Sequence, residues 1–89
     1  MRKKVYSIFF TKSSKKQFQS LPQKVQNEVA LILEEIARDP LIGKPLQGAL
    51  KGLRAKRVGI FRIVYKQEKA QLVIIIIGIG HRKGVYRNK

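Results

Sequence analysis

The first apolar stretch, Val5–Phe10, is β-branched and aromatic and predicts a strand. Thr11 or Ser13 then offers a side-chain oxygen to cap a short helix running to about Ser20, with Ser14, Phe18 and Leu21 along one side. Pro22 suits a helix start, because its missing N–H would be unpaired there anyway. From there Val25, Val29, Ile32, Leu33 and Ile36 recur at helical spacing and form one apolar stripe, with Glu28, Glu34 and Glu35 off its centre. Asp39-Pro40 ends this second helix after Arg38, since a residue before proline avoids the α region. Gly43, Pro45 and Gly48 make Leu41–Lys51 a loop.

Three strand-like segments follow: Leu53–Val58, Ile60–Lys66 and Gln71–Ile79. Gly59 marks the tight turn between the first two, and Gln67–Ala70 the turn before the third. Leu72–Ile77 is apolar at every position, which predicts an interior strand with no wet face, the helices lying over one side of the sheet. The order is β-α-α-β-β-β. It defines an α+β fold, a small mainly antiparallel sheet with an N-terminal helical hairpin packed on one face.

Length and composition narrow this further. At 89 residues the chain fits one domain, expected to span 1–89, and such a domain buries roughly 60–70% of its unfolded surface. There is no cysteine and one histidine, which excludes disulfides, thiolate metal sites, cysteine nucleophiles and a histidine-only metal cage. No cofactor is implied. The run Leu72–Ile79 is far shorter than the ~20 residues of a membrane helix, and the run behind the basic Met1–Lys4 is too short for a secretory leader. The expected setting is a reducing cytoplasm.

The charge is large and uneven. Twenty Lys and Arg stand against five Asp and Glu, a formal net charge of +15. Residues 23–40 hold four of the five acids, so the whole excess lies outside that segment. A field this positive destabilises the compact state by self-repulsion and points to a polyanionic partner, above all nucleic acid. It also suits an acidic protein partner.

Several chemistries drop out. The acids lie mostly on one helix, and only His81 could support a carboxylate metal site. No nucleophile turn accompanies a Ser-His-Asp set. The glycines of Gly78-Ile79-Gly80-His81-Arg82-Lys83-Gly84 match no dinucleotide fingerprint and read as the end of a strand. What remains is a basic constellation: Arg54, Lys56 and Arg57 on one strand, Arg62 on its hairpin partner, and His81, Arg82 and Lys83 after the buried strand, with Tyr86 beyond. If Phe61, Ile63 and Tyr65 face the helices, Arg62 faces the open side of the sheet. Such a cluster can support RNA cleavage. The ribose 2′-OH attacks the adjacent phosphate, and fixed arginines stabilise the charge on the phosphoryl oxygens. Tyr86, Lys56 or His81 is a candidate base, and Arg82 a phosphate clamp or proton donor. A non-catalytic RNA binder fits the same composition.

The stretch Leu50–Tyr65 resembles the central hairpin of the RelE/ParE toxin superfamily, and Ile79–Arg87 resembles its C-terminal signature. Leu21-Pro22 in the helical hairpin fits as well, so the resemblance covers almost the whole chain. For the RelE branch it implies a type II toxin that cleaves mRNA in the ribosomal decoding site without a metal. It also implies a cognate acidic antitoxin forming a hetero-oligomer with the toxin. Carried over by position, Arg62, Arg82 and Tyr86 match family residues, and Lys51, Arg54, Lys56, His81 and Lys83 are expected to bind RNA. The paired lysines of the family's preceding strand are not cleanly reproduced. With Val58-Gly59 as a two-residue turn, Ala55 pairs with Arg62 and Arg57 shares its face. A loop one residue longer puts Arg54 and Lys56 there instead. Arg57 is the preferred catalytic residue and Lys56 the second. The ParE branch implies a non-enzymatic inhibitor of DNA gyrase, and a degenerate, inactive toxin is a further alternative.

Overall fold

The computed structural model describes residues 5–81, so Arg82, Lys83 and Tyr86 lie outside the described residues. Strand β1 spans Ser7–Phe10 and helix α1 spans Lys12–Gln19. Thr11, not Ser13, is the cap: its Oγ1 accepts the Ser14 N–H at 3.0 Å. Ser14 is itself buried, and its Oγ donates to the Thr11 carbonyl at 3.2 Å, so the short helix carries a satisfied hydroxyl inward. Phe18 packs its ring on Phe10 with centroids 5.6 Å apart, tying α1 to β1. Helix α2, Gln23–Arg38, follows Pro22. Gln26 closes the turn between the helices by donating to the carbonyls of Gln19 and Leu21.

The expected loop after α2 is more ordered than its glycines and prolines suggest. It holds two single-turn 3₁₀ segments, Pro40–Ile42 and Gly48–Leu50, and between them a two-residue strand β2, Lys44–Pro45. Strands β3 (Arg54–Val58), β4 (Phe61–Glu68) and β5 (Val73–His81) complete a five-stranded sheet of order β1-β5-β4-β3-β2. The β1–β5 pair is parallel and the others are antiparallel. The turn before β5 falls at 69–72, not 67–70, with Leu72 in the left-handed region (φ 55°). Gln67 stays in the strand, where its Nε2 donates to the Tyr6 hydroxyl at 2.8 Å.

One hydrophobic cluster joins the layers. Val29, Leu33 and Ile36 of α2 meet Val58, Ile63, Tyr65, Ile74, Ile76 and Ile79 of the sheet. The β5 members shift from even to odd positions because the β4–β5 register slips between Val64 and Tyr65, leaving Ile77 as the extra residue of a bulge. This corrects the expectation that the apolar run has no wet face. Ile77 is 38% exposed and Ile75 half-buried, because the helices cover one side only. Beyond the end of β1, Gln17 of α1 takes the Ile79 N–H with its Oε1 at 2.8 Å. Among the described residues no helix is long and apolar enough to cross a membrane.

Tyr65 anchors the loop to the core. Its ring is fully buried, its hydroxyl donates to the Pro40 carbonyl at 2.6 Å, and it accepts the Gly43 N–H at 2.9 Å. A Cβ on Gly43 would lie 2.4 Å from that hydroxyl, so the position requires glycine. Arg54 adds a bond from Nη1 to the Gly43 carbonyl at 2.7 Å. Burial raises the Tyr65 pKa, opposed by the Gly43 hydrogen bond and Arg54 and reinforced by Asp39. Tyr65→Phe should cost about 1–3 kcal/mol in urea unfolding, since it orphans a buried N–H and a buried carbonyl. A raised folded-state pKa means that the neutral phenol is the favoured form. Its contribution is therefore full below the ordinary tyrosine value near 10 and lost as pH rises above it, and the loss should be smaller in Tyr65→Phe.

Candidate nucleic-acid interface

The site grows out of one hairpin. Gly59 has φ +62° at the first central position of the two-residue turn Gly59-Ile60, a position that favours glycine. The turn pairs Val58 with Phe61, and from there Arg57 stands directly opposite Arg62, Lys56 opposite Ile63, and Arg54 opposite Tyr65. The turn is one residue later than Val58-Gly59, so Arg62 pairs with Arg57 and not with Ala55. Ala55 and Arg57 nevertheless share the face of Arg62, as the two-residue alternative required.

Since Ile63 and Tyr65 point into the core, Arg57 and Arg62 lie on the face of the sheet away from the helices. Gly80 pairs with Arg62, which extends the row as Arg57–Arg62–Gly80. The next row on the same face is Lys44–Ala55–Val64–Gly78. Ala55, Val64 and Gly78 of that row are buried, and β2 adds a third cation, Lys44, across Ala55. Lys44 was hidden from sequence reasoning by the Gly43 and Pro45 that flank it, which spelled loop.

Like charges directly opposite on an antiparallel pair repel, so the Arg57–Arg62 pairing is unfavourable in isolation. The acids are elsewhere. Glu68 is at the far end of β4 and pairs with Lys66 at 3.0 Å, while Glu28, Glu34 and Glu35 sit exposed on α2. Because β2 pairs only with Arg54 and Ala55, the edge of β3 from Lys56 onward opens onto a cavity of about 310 Å³. Ile42, Lys44, Leu46, Ala55, Lys56, Arg57 and Arg62 line it, and among these described residues none is acidic.

The other expected residues scatter. Arg54 belongs to the helix-side face, where it holds the Gly43 carbonyl. Lys56 is half-buried in register with Ile63 on that same side, yet reaches the cavity. His81 is exposed in the row of Phe61 and Val58, off the arginine face. Lys51 is exposed between the second 3₁₀ turn and β3. Among the described residues no group of three or more His, Asp or Glu could hold a metal. The arrangement can grip phosphate oxygens from two strands, and arginines do this bidentately.

Residues 8–86 match the family model described as the ParE toxin of the type II toxin–antitoxin system parDE. The chain is a member of the RelE/ParE superfamily of type II toxins. It is 31% identical to Toxin RelE of Mycobacterium tuberculosis over 84 residues, covering 92% of this chain and 87% of that one. It is 29% identical to Toxin RelG of the same organism over 87 residues, covering 92% and 97%. Its fold superposes on the crystal structure of the toxin–antitoxin complex RelBE2 from Mycobacterium tuberculosis with a TM-score of 0.83 at 26% identity, covering 91% of this chain and 95% of that one.

Arg57 is exposed and on the pairing row, so Arg57→Ala should leave unfolding stability within about 0.5 kcal/mol of wild type. The same variant should weaken binding to a single-stranded RNA oligomer and lower the slope of log affinity against log salt by about 1. A slope unchanged from wild type would take Arg57 off the binding face.

Proposed function

We propose that the protein is a ribosome-dependent mRNA endonuclease that arrests translation, working in the cytoplasm without a metal. The observation that carries this reading is the direct pairing of Arg57 with Arg62 on the open face, with Lys44 one row away. In this reading the two guanidiniums hold the scissile phosphate while the ribose 2′-OH loses its proton to a base and attacks phosphorus, which forms a 2′,3′-cyclic phosphate as the bond to the next nucleotide's 5′-oxygen breaks and that oxygen takes up a proton. The negative charge that builds on the phosphoryl oxygens meets fixed donors that need no reorganisation. Arg82 and Tyr86 follow β5 in sequence and complete the set as phosphate ligand and as RNA-stacking or proton-transferring group. Lys51, Lys56, His81 and Lys83 add to the basic rim. The relative solved as the RelBE2 complex is held by an antitoxin, and a partner of that kind, acidic and covering the basic face, fits the +15 charge.

A second reading, non-enzymatic inhibition of DNA gyrase, is favoured by the family model that matches, which is that of the ParE toxins. The two separate cleanly. Primer extension on an mRNA in a purified translation system should give cuts within codons in the decoding site, only with ribosomes present. Arg62→Ala and Arg82→Ala should each lower cutting by a factor of about 10² or more. Absence of cuts under every condition, with loss of gyrase supercoiling activity, would replace the first reading with the second.

A further inference from the structure

The cavity beside β3 is built for more than a phosphate. We propose that it binds one whole nucleotide next to the phosphate held by Arg57 and Arg62, with the base lying on Ile42 and Leu46. This inference rests on the reading of the open face as an RNA-binding surface.

Three observations carry it. The lining divides between apolar groups (Ile42, Leu46, Ala55) and cations (Lys44, Lys56, Arg57, Arg62). A bare phosphate has no use for the apolar wall, and an aliphatic ligand has none for the cations. A nucleotide has a flat apolar face and a charged end. The volume of about 310 Å³ is at the small limit of ligand cavities, enough for a single such unit.

The third observation is rigidity. Ile42 and Lys44 flank Gly43, whose N–H is held by Tyr65 and whose carbonyl is held by Arg54. The Tyr65 hydroxyl also holds Pro40, so the cavity wall is tied to the core at two points along the loop. A wall fixed before binding loses little entropy on contact, and the same residues on a free loop would lose more. Lys44 stands across Ala55 from the arginine row, placed for a phosphate on the other side of the ribose. The side chains of Ile42, Leu46 and Ala55 carry no hydrogen-bonding group. The wall therefore asks for a base but does not choose among bases.

The test is calorimetric binding of adenosine 5′-monophosphate, uridine 5′-monophosphate and ribose 5-phosphate to the full chain. The two nucleotides should bind about equally, each about tenfold tighter than ribose 5-phosphate. Leu46→Ala should erase the advantage of the nucleotides, Leu46→Met should keep it, and Lys44→Ala should weaken all three ligands by a similar factor. Equal binding of ribose 5-phosphate and the nucleotides, no binding of any, or an advantage that survives Leu46→Ala would each overturn the proposal. The readout involves no cleavage. A protein that binds nucleotides in this pattern yet cuts no mRNA would remove the nuclease reading and leave the subsite standing. One that cuts mRNA but treats the three ligands alike would do the reverse.

Discussion

Side chains alternate across a β-strand, so one register decides which cations of this protein can act together. Between β3 and β4 that register is set by the two-residue turn at Gly59-Ile60, and the left-handed φ of Gly59 makes so short a turn possible. A slip of one residue would send Arg57 to the helix side and bring Lys56 and Arg54 to the open face. It would also turn Val58 of β3 out of the core cluster, where it is buried. The core therefore enforces the register that the turn allows. The placing of Arg57 opposite Arg62, unfavourable in isolation, is imposed by the burial of its neighbours.

The same coupling reaches the cavity through Tyr65. This residue is a core side chain by its ring and a loop clamp by its hydroxyl. Through Gly43 it positions β2, and β2 brings Lys44 into the row of Ala55. Arg54 instead donates a hydrogen bond to a loop carbonyl from the helix side of the sheet. Two of the cations flanking Ala55 in sequence thus have different neighbourhoods from the pair that shares a face. A count of basic residues could not separate them.

Much of the architecture was legible. Period-3.6 spacing from Val25 to Ile36 and the Pro22 and Asp39-Pro40 boundaries gave α2 almost to the residue, and β-branched runs located the three long strands. The misses have physical causes. Leu72–Ile79 is apolar throughout, so alternation carries no phase, and the bulge at Ile77 changes the phase midway. The strand Lys44–Pro45 has two residues and depends on β3 for its partner, so no local pattern marks it. Gln17 and Gln67 each satisfy a polar group distant in sequence, a role that ordinary surface glutamines do not advertise. At the site, the open-face assignment of Arg62 was readable from its apolar flanks. The choice of Arg57 over Lys56 was not, because it turns on a loop length of one residue.

The distribution of the five acids completes the physical picture. Glu28, Glu34 and Glu35 lie on α2, on the opposite side of the sheet from Arg57 and Arg62, Asp39 caps the 3₁₀ turn Pro40–Ile42 by accepting the Leu41 N–H, and Glu68 is held by Lys66. The described residues that line the cavity include four cations and no acid. Surface cations gain little from exposed ion pairs, so stability does not account for the arrangement. What clustered cations gain is a local potential that attracts an anion and, in a concave site, is less screened than on a convex surface. The self-repulsion carried by the free chain is released when a polyanion or an acidic protein covers the face.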